Sequence, residues 1–341
     1  MLESIWFLLW GVLWAVYFML DGFDLGLGTL FPFLARTEEE KRYVLNAMGP
    51  FWDGNEVWLI AAGGVTFAAF PRAYAIMFSG LYTALFLLLI ALILRGVSLE
   101  FRSKIDNPGW QKIWEICLFL GSFLPALLLG VAFANIFKGL PLDEQGIFRG
   151  NLFTLLNPYG LLGGVLFVLL FAVHGGLWMA LRGSGDLERR SGRMASKLWA
   201  VLTVVLVLFL AYTAVATKLF TNYLKSPLWF ALLILPVGGL VLSRVYMGTQ
   251  EWLKAWLASA LTILGVTAFA LVGLYPALLP SSLNPAYSVT IYNSASSPLT
   301  LKIMLGVALI FVPIVIFYQF WAYKTFSHKL EAKDLEYEEA Y

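Results

Sequence analysis

The sequence predicts an all-α integral membrane protein of nine transmembrane helices, with the N-terminus outside and the C-terminus in the cytoplasm. Three observations predict it. Of 341 residues, 60% are apolar and only 13% charged, and the mean hydropathy is strongly positive, a balance foreign to a water-soluble domain of this length. Nine stretches supply the roughly 20 apolar residues that a bilayer core requires. Lys and Arg also gather at alternate ends of those stretches.

The spans are expected at 5–34, 44–70, 73–97, 112–137, 158–182, 196–220, 227–246, 254–279 and 301–324, so that 1–341 reads as a single transmembrane domain. The first follows Glu3, with no basic leader and no A-x-A site before Asp21 and Asp24, and is read as a retained helix, not a cleaved signal peptide. The second carries the polar stretch GPFWDGNEVW at 49–58, and the third ends in LRGVSLEFRSK. The fourth holds Cys117, which has no CxxC partner and reads as a small apolar residue. Between the eighth and ninth spans, 280–300 is rich in Ser, Asn and Pro, as a solvent-facing loop is. A cytoplasmic tail is expected at 325–341. The Gly pairs 63–64, 163–164, 175–176 and 238–239 read as close helix packing, with a structural repeat of two four-helix groups as the alternative.

Orientation follows from the cations, because cytoplasmic loops retain Lys and Arg. One side collects 17 of the 23, from Arg36, Lys41 and Arg42 through Arg95, Arg102 and the 182–197 group to Lys324, Lys329 and Lys333. The other side has Arg72, Lys138, Arg149, Lys218, Lys225 and Lys302. Nine spans explain the split, and eight would scramble it.

With this topology Asp24 and Asp53 each lie about ten residues from the cytoplasmic end of their helix, hence at similar depth at about 1.5 Å per residue. Asp21 and Asp24 share a face of the first span, and Asn46, Asp53 and Glu56 share one of the second. Pro50 is expected to kink the second span and free the Asn46 carbonyl. Arg95 lies inside the cytoplasmic end of the third span, as a countercharge expected to hold Asp53 or a bound anion, with Glu100 near the mouth. Glu100 and Asp53 read as an entrance and a deeper station for protons, and Asp21, Asp24 and Glu56 as further members of that path. Acids at bilayer depth are costly and face the protein interior, pair with cations or relay protons; a buried Asp–Arg tie between helices is the competing reading. Glu115 reads as an interfacial charge.

Histidine is scarce: His174 in the fifth span and His328 in the tail. This chain alone cannot hold a bis-histidine haem in the membrane, and His174 reads as a hydrogen-bonded core residue. There is no His/Cys metal constellation, no P-loop, dinucleotide fingerprint or nucleophile elbow, and no basic run of a nucleic-acid binder.

DGFDLGLG at 21–28, GPFWDGNEVWLIAAGG at 49–64, LRGVSLEFRSK at 94–104, GSFLPALLLGVAFAN at 121–135, NLFTLLNPYGLLGG at 151–164 and SVTIYNSASSPLTLKIM at 288–304 together resemble subunit II of the cytochrome bd family of quinol oxidases. The resemblance runs through nearly the whole chain. It implies two four-helix bundles, 5–137 and 158–279, plus a peripheral helix, 301–324. It further implies an obligate partner, subunit I, carrying two b-type haems, one d-type haem and the quinol-oxidation site, with no cofactor in this chain. A small single-helix third subunit is a further partner expected of the family, and the location is the cytoplasmic membrane of a bacterium or archaeon. By resemblance Trp52, Asp53, Arg95 and Glu100 belong to a polar route toward the haems for electrogenic reduction of oxygen to water. The chain departs from the pattern at Phe51, where relatives have His, at Glu100, where they have Asp, and at Glu56, where they have Gln. Glu for Asp keeps the entrance titratable, whereas Phe51 removes any histidine contribution. The short connection between the sixth and seventh spans removes the region on which larger members could build a quinone site.

Two other readings share these features. A proton-coupled secondary transporter would also have kinked helices and midplane acids, but would work without a haem partner. A purely structural partner, shielding the cofactors of subunit I, would not need Asp53.

Overall fold

The computed structural model describes residues 1–335, so residues 336–341 of the expected cytoplasmic tail lie outside the described residues. Among the described residues, eleven helices of ten or more residues account for the fold. The first, α1 (Leu2–Leu34), runs unbroken. It is followed by α2 (Glu38–Met48), which opens on a capping box in which Thr37 and Glu40 satisfy each other's backbone N–H groups.

The second expected span is broken. Helix α2 ends at Gly49 and α3 (Trp52–Ala69) begins after Pro50 and Phe51. The cause is local: Pro50 has no N–H to give and crowds the turn before it. At 18 residues α3 is about 27 Å long, but Asp53, Asn55 and Glu56 crowd its first turns. Among the described residues, eight helical segments, one of them running Pro227–Thr249, are therefore long and apolar enough to cross a membrane, and α3 is not among them.

The third expected span is also divided, into α4 (Pro71–Gly80) and α5 (Tyr82–Phe101), with a turn at Leu81. Helix α6 (Pro108–Lys138) starts with Pro in its first turn and Asn107 accepting from the backbone N–H groups of Gly109 and Trp110. It ends at Gly139, whose φ of +94° favours a residue without a Cβ. Then follow α7 (Pro158–Arg182), α8 (Gly185–Ala216), α9 (Ile234–Thr249) and α10 (Trp252–Leu274). The eighth expected span is too long at its end. Residues Ala277–Leu279 form a strand that pairs antiparallel with Val289–Thr290, which ties down part of the loop expected at 280–300. Last comes α11 (Pro298–Thr325), capped by Ser297.

Helix α1 is the axis of the molecule. It packs on α3, α6, α7 and α10, while α5 lies on α6, α8 on α7 and α9 on α10. Two crossings need glycine. A Cβ on Gly26 would stand 1.8 Å from the Phe171 carbonyl oxygen, and one on Gly121 would stand 2.6 Å from the backbone nitrogen of Arg95. The α1–α7 and α5–α6 backbones are in contact there, as small residues permit. Of the Gly pairs, 163–164 and 175–176 sit at such crossings, whereas Gly63, Gly64 and Gly238 have nothing within 4 Å. Helix α11 is almost bare, touching the body mainly through α1 and α3.

The segment after α11 folds back. Leu330 is buried and its N–H donates to the Arg182 carbonyl. Lys329 pairs with Glu188 at 2.6 Å, and Arg42 donates to the Leu335 carbonyl at 2.6 Å.

Candidate functional site

The polar residues of α1, α3 and α5 meet inside the apolar body. Asp21 and Arg95 are both essentially inaccessible, with Arg95 Nη1 at 2.8 Å from Asp21 Oδ1. The other terminal nitrogen, Nη2, donates to Glu56 Oε2 at 2.8 Å. A single guanidinium thus bridges two carboxylates, as a planar fork with two separate N–H pairs can. Only the Glu56 contact has hydrogen-bond alignment; the Asp21 contact is an ion pair by distance. Gly121 of α6 lets α5 approach closely enough to carry Arg95 into this position, and the Ser98 hydroxyl caps the Arg95 carbonyl at 2.7 Å. Sequence reasoning expected Arg95 to hold Asp53 or a bound anion. It holds Asp21 of α1 and Glu56 of α3 instead, its long side chain reaching both from α5.

One turn along α1, Asp24 is buried and accepts a 2.7 Å hydrogen bond at Oδ2 from the Asn55 side-chain amide, while its Oδ1 has no partner. Asn55 Nδ2 also reaches the Leu20 carbonyl at 3.3 Å. Its Oδ1 accepts from Gln319 Nε2 at 3.0 Å and from the Tyr323 hydroxyl at 2.9 Å. Helix α11 therefore reaches the acid pair of α1 through a single amide of α3.

Asp53 and Glu100 lie on the exposed edge of α3 and α5, where the charges of Glu56, Glu100 and Arg95 act on Asp53. Trp52 is half-buried with its ring over Gly96, where an added Cβ would sit 3.2 Å away. Phe51 is buried among aromatics, its ring centroid 4.6 Å from that of Tyr323 in a tilted contact and 5.4 Å from that of Trp178, with the Arg182 guanidinium 6.0 Å from its ring. Asn46, expected on the face of Asp53 and Glu56, belongs to the separate helix α2, and its amide nitrogen donates to the Arg42 carbonyl at 2.9 Å.

A second charged cluster ties α2 to α6 and to the turn that follows α5. Glu115, read as an interfacial charge, is buried within the protein and accepts from Lys41 and Arg102 at 2.8 Å each, while Arg102 also pairs with Glu38 at 2.6 Å. Farther out, Arg190 of α8 pairs with Glu40 at 2.6 Å and donates to the Leu34 carbonyl. Burial disfavours the Glu40 carboxylate, but Arg190 and the backbone N–H groups of Arg36 and Thr37 outweigh it and hold this carboxyl below the usual range.

His174 is fully buried, with Nδ1 2.9 Å from the Ser259 hydroxyl, Nε2 3.0 Å from the Met19 carbonyl and its ring stacked on Trp256. With both nitrogens engaged it offers no axial position to a haem. His328 lies in the segment after α11, 3.2 Å from Asp334. No group of three His, Cys, Asp or Glu side chains among the described residues is placed to hold a metal ion.

Sequence reasoning missed the roles of Asn55, Gln319 and Tyr323. The signal was present: Gln319 and Tyr323 are four apart, polar-tipped and on one face of an otherwise apolar span.

Comparison with known proteins identifies the family of the chain. The family described as "Cytochrome bd terminal oxidase subunit II" matches residues 2–326. The chain is 37% identical over 335 residues to the "Cytochrome bd ubiquinol oxidase subunit 2" of Bacillus subtilis (strain 168), covering 98% of each chain. It is 35% identical over 370 residues to the "Cytochrome bd-I ubiquinol oxidase subunit 2" of Escherichia coli (strain K12), covering 98% of this chain and 97% of the relative. In fold it is similar to a chain of the bd oxidase from Geobacillus thermodenitrificans, with a TM-score of 0.77 at 15% identity over 95% of this chain and 98% of that one. The buried Arg–acid cluster thus sits in a multi-pass membrane protein that belongs to the family of cytochrome bd terminal oxidase subunit II.

Proposed function

We propose that this chain is the haem-free partner of a haem-bearing subunit I in a quinol oxidase, and that it supplies a path for cytoplasmic protons to the site where oxygen becomes water. The observation that carries the reading is the cluster of Asp21, Asp24 and Glu56 around Arg95. Three carboxyls against one guanidinium leave a formal excess of two negative charges in a region where each unbalanced charge costs several kcal/mol. Taking up and releasing protons is the chemistry open to such a group. Glu56 is the partly exposed member, and Asp53 and Glu100 lie on the same edge, so the acids form a series from surface to interior.

The exposed acids also support an obligate heterodimer. Asp53 and Glu100 share their edge with exposed Val57, Ile60, Phe67 and Ile93, a mixture suited to a protein neighbour and costly against lipid. Trp52 offers that neighbour an apolar wall with one N–H donor. In this reading subunit I supplies the two b-type haems, the d-type haem and the quinol site, and together the subunits perform electrogenic oxygen reduction in a bacterial or archaeal cytoplasmic membrane. A small third subunit is compatible with the bare face of α11. The architecture is read as nine passes, with α3 crossing against subunit I because its polar turns face protein. Residues 5–137 and 158–279 form two four-helix groups, 301–324 is peripheral, and the N-terminus lies outside.

The purely structural partner keeps the packing but leaves the excess charge without a use. Vesicles of known orientation containing the assembled oxidase test the route. Turnover should remove protons from the cytoplasmic side, where the cation count places Glu100, and uptake confined to the opposite face would overturn it.

A further inference from the structure

We propose that Asn55 is a positioning residue for Asp24, locked in one orientation by helix α11, and that it leaves Asp24 Oδ1 as the oxygen that receives and gives up a proton. The inference rests on the proton-route reading and adds to it a residue and a direction. An Asn side chain presents one acceptor and one donor group, and its two ends are interchangeable by rotation unless neighbours decide between them. Here they decide. The Leu20 carbonyl, which can only accept, and Asp24 Oδ2 face one end of the amide, at 3.3 and 2.7 Å, so that end is the NH2 group. The carbonyl oxygen then points at α11, where it accepts from Gln319 Nε2 and the Tyr323 hydroxyl at 3.0 and 2.9 Å and is held there.

The consequence for Asp24 is asymmetric. One carboxyl oxygen is held by an N–H donor in a fully buried setting, and the other has no partner. A proton on Oδ2 would face the Asn55 N–H, so the proton binds at Oδ1, giving the neutral acid, and leaves from the same atom. Asn55 itself passes nothing on, because an amide relays a proton only by becoming its imidic acid tautomer. Tyr323 and Gln319 are therefore braces, not members of the path. Their helix is otherwise almost bare, so this polar contact is a principal attachment of the α11 C-terminal half to the body, shared with the tilted ring contact of Tyr323 with Phe51.

The charged and titratable groups around Asp24 are Asp21 and Tyr17 of α1, Glu56 of α3, Arg95 of α5 and Tyr323 of α11. None of them donates to Asp24 in the structure, which leaves Asn55 as the side chain that sets its orientation.

The test uses infrared difference spectra and steady-state kinetics of the assembled oxidase. The stretching band that disappears in Asp24→Asn, whether carboxyl or carboxylate, identifies the group. In Asn55→Ser that band should move, and kcat should fall about three- to tenfold, the size set by one hydrogen bond, while the quinol KM holds. Tyr323→Phe removes one of the two braces and should move the same band by less, and it keeps the test decisive if Asn55→Ser does not assemble. A band unmoved in every assembled variant would overturn the inference. Turnover of Asp53→Asn reads the underlying route separately: normal turnover there with a shifted Asp24 band would sink the route and leave the positioning standing.

Discussion

Arg95 concentrates the demands of this fold into one side chain. It is buried, and each of its two terminal nitrogens lies 2.8 Å from a carboxylate on a different helix. Removing one partner of a buried charged pair leaves the other uncompensated, at a cost of about 3–5 kcal/mol. Arg95→Leu should therefore lower the thermal stability of the assembled oxidase and its yield, whereas Arg95→Lys should recover only part, since a compact ammonium does not span both carboxylates. Equal stability of the Lys variant and the native protein in thermal melts would show that bridging is unimportant. At this scale the sequence exposed which residues are unusual but not how they pair. Asp21, Asp24, Asp53, Glu56 and Arg95 are all conspicuous in an apolar chain, yet whether Arg95 meets Asp53 or Asp21 depends on the rotation of α5 about its axis. That rotation is set by the contact of Gly121 with the Arg95 backbone, and no local pattern encodes it.

At the scale of elements, the apolar stretches located the long helices well, because length and hydropathy decide which segments cross a bilayer. The failures share a cause. At Pro50, where a kink was expected, the chain breaks fully and the polar turn is averaged into the apolar residues that follow, and at Leu81 the chain turns without losing its apolar character, so hydropathy ran through both breaks. Beyond Leu274 the apolar residues continue into a strand held by pairing with 289–290, a long-range contact invisible to a window. The α2–α8 clamp also went unread, since Glu40 and Arg190 are far apart in sequence. Its behaviour with pH follows from the sign of the shift. The Glu40 carboxyl is held below its usual range in the folded protein, so its contribution is present above the unfolded value of about 4.3 and is lost as pH falls from there through the folded value. Hydrogen exchange in residues 36–41, corrected for the intrinsic rate, should rise over that acidic window. Glu40→Gln should exchange faster at neutral pH and lose the dependence. Protection that stays constant down to strongly acidic pH would remove Glu40 from the clamp.

The whole molecule is a membrane body with a polar interior around Arg95, a second buried charged cluster around Glu115, and a polar edge. Its core is apolar around α1, and the acid cluster is embedded where α1, α3 and α5 meet, with α11 braced against it through Asn55. The exposed acids of α3 and α5 lie beside that cluster, so in the proposed reading the partner surface and the proton-bearing interior are continuous. Family membership was legible because six segments in order carried it, whereas the exposed edge became visible only once α3 separated from α2. The claim that this continuity conducts protons is tested most directly at Asp53. Asp53→Asn, in the complete oxidase, should assemble with nearly native haem spectra and slow oxygen-reducing turnover at least about tenfold, equivalent to roughly 1.4 kcal/mol on the limiting barrier, with Asp53→Glu restoring part of the rate. Normal turnover of Asp53→Asn with full haem content would contradict the account and make Asp53 a structural acid.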